Sequence, residues 1–377
     1  MIDRVEFKDG IEISRLGLGN MRLPVKTPLK REANPMIDYN KGQELVDIAY
    51  ENGVNYYDTA YMYHAGKSEK FIGTALKKYP RDSFYLADKL PIWMCTSKKD
   101  MERIFNKQLT RCGVEYFDFY LLHALDGKAW DKCIKFDALS YLENKRSEGK
   151  IKYFGFSFHG EIDDLKRIVA AYKWDFAQIQ LNYLDWKNYK SEEQYNILTD
   201  AGIPVIIMEP VRGGKLADPP KNVKELFDNF DNTKSYASWA IRFAATHSNV
   251  LTVLSGMNSK EQLLDNLSSL TDFKPLTETE LKLCANAAAL LNKNDVIPCT
   301  GCDYCADCPQ EVKISSVFAA YNKFKNGEAT EAEAKREYDA IDIKADSCIG
   351  CGACKTHCPQ SIDIPELMQN KMKSFFE

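Results

Sequence analysis

Eight short β-rich segments alternate with amphipathic helical stretches along most of this 377-residue chain. Strands that alternate with helices are typical of parallel sheets, because each crossover between parallel strands runs through a helix. Eight such units predict an α/β fold, namely a (β/α)8 TIM barrel. The predicted strands cover residues 16–20, 55–60, 83–89, 117–123, 153–158, 176–182, 204–209 and 250–256.

An open, doubly wound sheet is the alternative arrangement of the same units. Such a sheet usually carries a glycine-rich phosphate-binding turn between its first strand and the next helix. Here the glycines at 17 and 19 are not followed by a helical pattern, which favours the barrel. Before the first barrel strand, Asp9 and Gly10 predict a hairpin turn, and this hairpin would plug one end of the barrel.

Charge and hydropathy exclude several classes of partner. The chain has 50 Lys and Arg against 54 Asp and Glu, a formal charge of −4. This balance, without long runs of one sign, argues against binding to nucleic acid. No apolar run reaches the roughly 18 residues of a membrane-spanning helix, and the first ten residues do not resemble a secretory signal. We expect a cytoplasmic protein without a membrane partner.

Eight of the twelve cysteines fall in two similar runs near the C-terminus. The run CIGCGACKTHCP matches C-x2-C-x2-C-x3-C-P, in which three thiolates bind one cubane iron–sulfur cluster and the fourth binds another. The run CTGCDYCADCP is one residue shorter before its last cysteine. Two runs predict two 4Fe-4S clusters. One would be held by Cys299, Cys302, Cys305 and Cys358, and the other by Cys348, Cys351, Cys354 and Cys308.

Zinc is the alternative ligand for such cysteines. Zinc ribbons, however, usually carry two separated pairs of cysteines rather than runs of four, and a reducing cytosol disfavours disulfides. About forty residues of mostly helical character separate the two runs, and the tail resembles the α-helical ferredoxin domains of respiratory iron–sulfur subunits. We predict a barrel over residues 1–275, a connecting helix over 276–298 and an iron–sulfur domain over 299–377.

Polar side chains end three consecutive predicted strands, where barrel enzymes carry their chemistry. Asp58, Lys89 and His123 close strands two, three and four, and Tyr63 follows Asp58 by five residues. Each has an ordinary structural explanation on its own, but together they converge on one mouth of the barrel. A tyrosine beside an ammonium group loses and recovers its proton more easily, and a neighbouring aspartate would keep that ammonium charged.

The segments DTAYMYHAGKSE, LADKLP and DFYLLHAL resemble the catalytic segments of the aldo-keto reductases. Barrel and tail together resemble the branch of that family fused to a 4Fe-4S domain. The resemblance implies an NAD(P)H-dependent oxidoreductase that interconverts a small carbonyl compound, an aldehyde or ketone, and its alcohol. Tyr63 would be the general acid, Lys89 would assist its ionisation, Asp58 would anchor Lys89, and His123 would orient the carbonyl.

The segments GFSFHG, QIQLNY, EPVRGGKL and SGMNSKEQLLDNL resemble the cofactor segments of the family. The resemblance implies NADP(H) or NAD(H) as cofactor. Ser157, Gln180 and Asn182 would hold the nicotinamide amide. Gly213, Gly214, Lys215 and Leu216 would wrap the pyrophosphate, while Asp265 and Asn266 would meet the adenine end.

Two positions depart from the family pattern. Met208 stands where members often stack an aromatic ring on the nicotinamide. Gly256 and Gln262 stand where many carry basic residues against the 2′-phosphate of NADP, so only Arg212 or Lys215 is left for that contact. Two further residues lie near the tetrad of Asp58, Tyr63, Lys89 and His123. We interpret His64 as a rim residue and Trp93 as either a wall of the substrate pocket or ordinary loop packing.

Three functions remain open at this point. The first is a carbonyl reductase whose tail carries two clusters. The second is an electron-transfer module, in which the clusters serve a redox partner protein and the barrel is a docking scaffold, since hydride transfer to a carbonyl needs no iron. In the third, the clusters are purely structural and cap the barrel mouth.

Overall fold

The computed structural model describes residues 1–26, 36–293 and 295–376. Its contacts divide the chain into two compact units. The first comprises Met1–Pro210 with Ser238–Leu281, and the second comprises Val211–Ala237 with Lys282–Glu377. The second unit therefore combines the C-terminal tail with an earlier segment, residues 211–237, which the sequence places within the barrel. The predicted domain limits stay predictions.

The first unit contains a closed barrel of eight parallel strands in the order β10-β3-β4-β5-β6-β7-β8-β9. All eight predicted strands are present, each end within two residues of its predicted position, and the (β/α)8 prediction is confirmed. The barrel strands are β3 (Leu16–Gly19), β4 (Tyr56–Asp58), β5 (Tyr85–Leu90), β6 (Phe117–Leu125), β7 (Ile151–Phe158), β8 (Ala177–Gln180), β9 (Val205–Met208) and β10 (Val250–Ser255).

The predicted hairpin forms and closes one end of this barrel. Strands β1 (Arg4–Glu6) and β2 (Glu12–Ser14) pair antiparallel, and the turn between them has left-handed backbone at Asp9 and Gly10. Phe7 and Ile13 pack in one core with side chains from the starts of the barrel strands, and the rings of Phe7 and Phe119 lie 5.6 Å apart. The carboxyl ends of the strands, at the other end, carry the candidate site.

Helices follow the strands, and local sequence signals fix their ends. For example, α3 begins after Ser97, whose side chain forms a capping box with Asp100, and ends at the left-handed Gly113. The helices up to residue 291 are α1 (Tyr39–Glu51), α2 (Lys67–Leu76), α3 (Lys98–Cys112), α4 (Gly127–Lys135), α5 (Ala138–Ser147), α6 (Ile162–Ala171), α7 (Asp185–Asn188), α8 (Ser191–Asp200), α9 (Lys221–Asp231), α10 (Tyr236–Thr246), α11 (Lys260–Leu270) and α12 (Glu278–Leu291).

Helix α12 lies within the predicted connecting helix, in which residue 294 falls outside the described residues. Beyond it, the tail contains helices and turns, as its sequence indicates, and α14 begins with a capping box between Thr330 and Glu333. These helices are α13 (Ile314–Lys325), α14 (Glu331–Asp339), α15 (Ala353–His357), α16 (Ile364–Glu366) and α17 (Lys373–Phe376), with a π-helical segment at Leu367–Met372. Among the described residues, no helix is long and apolar enough to cross a bilayer.

The second unit has a hydrophobic core of its own. Val317 and Phe318 of α13 pack with Met368 and Met372, and the ring of Tyr338 stacks on Phe376 with centroids 3.9 Å apart. Six of the eight clustered cysteines belong to this core or pack against it, and only Cys302 in the first run and Cys351 in the second are outside, so that the cysteine runs form its outer layer.

Candidate active site

The buried ammonium group of Lys89 is the centre of the predicted tetrad. Lys89 lies near the end of β5, and its Nζ donates hydrogen bonds to Asp58 Oδ1 at 2.7 Å, to the main-chain oxygen of Thr59 at 2.8 Å and to the Tyr63 hydroxyl at 3.4 Å. A lysine ammonium has three N–H groups, and each of them has an acceptor. The structure therefore brings Asp58, Tyr63 and Lys89 together as the sequence predicts.

Asp58 is held at the end of β4 by main-chain and charge contacts. Its main-chain oxygen accepts a hydrogen bond from the side-chain amide of Asn20 at 2.8 Å. Burial raises the pKa of Asp58, and the Lys89 ammonium opposes that rise through both charge and hydrogen bonding. The ion pair lies out of water, so each partner depends on the other for compensation of its charge.

Tyr63 begins a tight turn that the sequence does not reveal. The next three residues, His64, Ala65 and Gly66, all have left-handed backbone, with φ of 50°, 54° and 81°. Left-handed backbone costs a residue other than glycine about 1–2 kcal/mol, so neighbouring contacts must hold this turn. One such contact is the hydrogen bond from the Leu23 N–H to His64 Nε2 at 3.2 Å. His64 therefore anchors the turn, in addition to its predicted place at the rim.

A second anchor of the Tyr63 loop comes from a buried ion pair between α2 and α3. Arg111 Nη1 donates to Glu69 Oε2 at 2.6 Å and to the main-chain oxygen of Tyr61 at 3.4 Å, and its guanidinium lies 4.7 Å from the Tyr61 ring centroid. Glu69 is fully buried. Sequence analysis misses this pair because the two residues are 42 positions apart in different helices.

His123 lies in β6 beside two aromatic rings. Its ring centroid is 6.2 Å from that of Tyr63 and 4.9 Å from that of Trp93. Burial, with the Lys89 charge adding to it, lowers the pKa of His123 well below its ordinary value. The imidazole is therefore neutral at physiological pH and carries a single N–H. Trp93 packs against this imidazole, in agreement with a pocket-wall position.

The side chains predicted to hold the nicotinamide amide lie at the ends of β7 and β8. Ser157 Oγ accepts the Ala124 N–H at 2.7 Å. The amide groups of Gln180 and Asn182 both donate to Asp185 Oδ2, at 2.7 and 2.6 Å. The buried carboxylate of Asp185 thus orients two of the three predicted residues. The sequence gives no signal for that role, because the contact depends on the turn that follows β8.

The other predicted cofactor residues lie in different places. Asn266, on α11, donates to Ser255 Oγ at the end of β10 at 2.8 Å, and Asp265 precedes it. Gln262 Oε1 accepts the Asn258 N–H, and Met208 Sδ lies 3.5 Å from the Gln178 side-chain nitrogen. In contrast, the predicted pyrophosphate residues Gly213, Gly214, Lys215 and Leu216 belong to the second unit.

Residues 15–289 match the model of the aldo/keto reductase family. The chain belongs to this family. Its members are NAD(P)H-dependent oxidoreductases, which agrees with the resemblance seen in the sequence.

Relatives of this aldo-keto reductase are distant in sequence. An uncharacterized oxidoreductase of Bacillus subtilis is 25% identical over 301 residues, which is 72% of this chain and 92% of that protein. The NADH-specific methylglyoxal reductase of Escherichia coli is 22% identical over 308 residues, 69% of this chain and 90% of that one. An aldo-keto reductase of Bacillus halodurans, solved in its holo form, superposes with a TM-score of 0.63 at 24% identity, covering 76% and 96% of the two chains.

The tail of this aldo-keto reductase gathers its cysteines around two cavities. The first is lined by Cys299, Cys302, Cys305 and Cys358. The second is lined by Cys308, Cys348, Cys351 and Cys354. These sets are the two that the cysteine spacing predicts, with the last cysteine of each run lining the other run's cavity.

The two four-cysteine sets fit iron–sulfur clusters. Residues 298–362 match the model of a 4Fe-4S dicluster domain. Among the described residues, no three His, Cys, Asp or Glu side chains lie close enough together to hold a single metal ion. Four cysteines spread around one cavity, without three ligands close enough for a single ion, suit a cubane cluster better than one zinc ion. The sequence hypothesis of zinc is therefore the weaker one.

Proposed function

We propose that this aldo-keto reductase transfers hydride between a nicotinamide dinucleotide and a small carbonyl or alcohol substrate. The observation that supports the proposal is the Lys89 ammonium, which is hydrogen-bonded to both Asp58 and the Tyr63 hydroxyl inside the barrel. A proton donor with a fixed, buried cation beside it is what reduction of a carbonyl needs, because negative charge develops on the carbonyl oxygen.

In the proposed reaction, Tyr63 gives its hydroxyl proton to the carbonyl oxygen as the carbon–oxygen π bond breaks. Lys89 stabilises the tyrosine oxygen that remains, and Asp58 keeps the lysine charged. The neutral imidazole of His123 donates its N–H to the same carbonyl oxygen and fixes its direction. A bound nicotinamide supplies the hydride that reaches the carbonyl carbon. In the reverse direction, Tyr63 takes the proton back from the alcohol.

Three buried polar residues would hold the cofactor's nicotinamide amide: Ser157, Gln180 and Asn182. Asp185 fixes the orientation of the last two before the cofactor arrives, so that little side-chain freedom is lost on binding. Asp265 and Asn266 would meet the adenine end. Gly256 and Gln262 offer no cation to a 2′-phosphate, and NAD(H) is therefore tested alongside NADP(H).

The substrate class is a small aldehyde or ketone. The indole of Trp93 lies against His123, so a carbonyl compound that bonds to His123 would contact this aromatic surface. Because the Escherichia coli relative is named for methylglyoxal, methylglyoxal heads the set of aldehydes to be tested. The proposal places the protein in the cytoplasm, where cysteines remain reduced.

Removal of the hydroxyl oxygen of Tyr63 tests this function. In Tyr63→Phe, the ring stays and the proton donor is lost, and we expect the rate of aldehyde reduction to fall by about 10²-fold or more. Fluorescence of bound NADPH or NADH should show cofactor binding unchanged. The control is Tyr50→Phe, which removes a hydroxyl bonded to Ser83 on the outside of the barrel. Equal rates for Tyr63→Phe and the parent protein would refute the proposal.

A second function, electron transfer to a redox partner protein, is favoured by the exposure of the second cysteine set. Cys351 is exposed, and the neighbouring Ile349 is 61% exposed. Two one-electron clusters together match the two electrons of one hydride. Anaerobic addition of NADPH, and then NADH, to the protein with reconstituted clusters tests this function. Bleaching of the cluster absorbance without aldehyde would support it, whereas aldehyde-dependent oxidation of the cofactor with unbleached clusters would oppose it.

A further inference from the structure

The side chain of Lys215 is fixed within the second unit. Its Nζ donates to the main-chain oxygen of Ile297 at 3.2 Å. The same oxygen accepts a hydrogen bond from the Asn322 side-chain amide at 2.8 Å, and the Ile297 N–H donates to Asn322 Oδ1 at 2.7 Å. Ile297 and Asn322 are both buried. The ammonium group is thus held against a peptide that is itself bonded on both sides.

The peptide that binds Lys215 leads directly into the first cysteine set. Ile297 precedes Cys299 by two residues, and Cys299 Sγ accepts the Gly301 N–H at 3.4 Å. Asp303 lines the same cavity as Cys299. The Lys215 ammonium therefore lies beside the chain segment that enters the first cavity, and Asp303 carries the opposite charge at the same cavity.

Lys215 also lies in the loop that the sequence predicts to wrap a nucleotide pyrophosphate. The two preceding residues, Gly213 and Gly214, have φ of 67° and 96°. The space where a Cβ of Gly214 would stand is open, with no atom within 4 Å. A glycine-rich turn followed by a cation suits an anion, because the backbone can approach it closely. The predicted pyrophosphate loop and the peptide that leads into the first cysteine set thus share one lysine.

We propose that Lys215 couples binding of a nucleotide pyrophosphate to the reduction potential of the first cluster, the one assigned to Cys299, Cys302, Cys305 and Cys358. Reduction adds one negative charge to a cluster, and a nearby cation stabilises the reduced form. A pyrophosphate bound at residues 213–216 neutralises that cation and adds negative charge, so the potential falls. By linkage, reduction of this cluster weakens nucleotide binding by the same factor.

This inference rests on the proposed function for the existence of the nucleotide site. Reduction potentials, however, are measured without any turnover of substrate. The second cluster, assigned to Cys308, Cys348, Cys351 and Cys354, serves as an internal reference, because the peptide that Lys215 contacts leads into the first cysteine set instead. Coupling through Lys215 should move the potential of one cluster and leave that of the other unchanged.

The experiment is a redox titration of the full chain with both clusters reconstituted, followed by electron paramagnetic resonance. ADP-ribose is the probe, since it carries the pyrophosphate without a nicotinamide ring and cannot donate hydride. In the parent protein, saturating ADP-ribose should lower one midpoint. Lys215→Met should lower the same midpoint without any ligand, and ADP-ribose should then shift it by less than in the parent protein. Lys215→Arg, which keeps the charge, should stay close to the parent protein.

Two further variants identify the cluster and control for surface charge. Asp303→Asn removes the opposing charge and should raise the midpoint that Lys215→Met lowers. Lys323→Met removes a lysine that pairs with Glu337 on the surface of the same unit, and both midpoints should stay unchanged.

Saturation of the nucleotide site is checked by calorimetry with ADP-ribose. Binding to the parent protein without a shift, or an equal shift in Lys215→Met, would overturn the coupling alone. Absence of binding would overturn both the coupling and the proposed nucleotide site.

Discussion

Lys89 Nζ lies 2.7 Å from Asp58 Oδ1, and both side chains are almost completely buried. No other described carboxylate forms an ion pair with Lys89. The charge of the Lys89 ammonium therefore depends on Asp58. The electrostatic environment of the Tyr63 hydroxyl, which this ammonium contacts, depends on Asp58 as well.

Replacement of Asp58 by Asn should disable the site and destabilise the barrel. An ammonium left buried without its counter-charge costs about 3–5 kcal/mol. We expect a fall in the urea midpoint and a loss of most aldehyde reduction. The control is Asp131→Asn, which breaks an exposed pair with Arg167 worth about 0–1 kcal/mol. Equal stability of the two variants would contradict the assignment of Asp58 as the counter-charge.

The pH dependence of the reaction should carry no signature of His123. Because the pKa of this imidazole is lowered well below its ordinary value, His123 stays neutral between about pH 5.5 and 8. A kcat/KM profile for aldehyde reduction should be free of an inflection near pH 6.5. His123→Gln should lower the rate while leaving the profile unchanged. An inflection in the parent protein that vanishes in this variant would show that His123 titrates.

The same shift gives a prediction for stability. In the unfolded chain, His123 takes up a proton below about pH 6.5, whereas the folded protein keeps it neutral. Its contribution to the free energy of unfolding is therefore present above pH 6.5 and is lost as the pH falls toward the folded-state pKa. Urea unfolding of the parent protein and His123→Gln at pH 7.5 and 5.5 measures this loss, and the variant should lose less stability on acidification.

Glu69→Gln should loosen the Tyr63 loop. The variant leaves Arg111, which donates to Glu69 and to the Tyr61 main chain, without its buried counter-charge. We expect a loss of about 3–5 kcal/mol in stability and a lower kcat, because Tyr61 is two residues from Tyr63. Gln keeps the shape of the side chain, so the charge is what is tested. Unchanged stability and kcat would mean that the loop is held by other contacts.

The last cysteine of each run is assigned to the cluster held by the other run, and serine variants test this assignment. The cavity linings predict that Cys358→Ser perturbs the same cluster as Cys302→Ser, and that Cys308→Ser perturbs the same cluster as Cys351→Ser. Electron paramagnetic resonance of the reduced protein distinguishes the two clusters by their signals. If Cys358→Ser and Cys351→Ser altered the same signal, each run would hold its own cluster.

Local patterns predict most of the fold and the tetrad. Strand periodicity repeats every two residues and helix periodicity about every four, so eight βα units can be counted without tertiary information. Asp58, Lys89 and His123 stand at predicted strand ends, and parallel strands bring such ends together. The contact of Lys89 with Asp58 was therefore predictable from topology.

Contacts that depend on packing between distant segments were not predictable. The pair of Glu69 and Arg111 joins two helices, and the role of Asp185 arises only once the turn after β8 has folded. The left-handed backbone at His64 and Ala65 also lacks a signal, because residues other than glycine rarely adopt that conformation one after another. Likewise, no composition boundary marks residues 211–237 as part of the second unit.

Because the second unit is built from two separate stretches of chain, Val211–Ala237 and Lys282–Glu377, its order of synthesis matters. The first stretch leaves the ribosome well before the second, at about 5–20 residues per second, and meets the rest of its own unit only when the tail follows. If Cys358 joins the first cysteine run at one cluster, as we propose, insertion of iron and sulfide into that cluster must wait for the end of the chain, and maturation of the clusters would be a late event in the biogenesis of the chain.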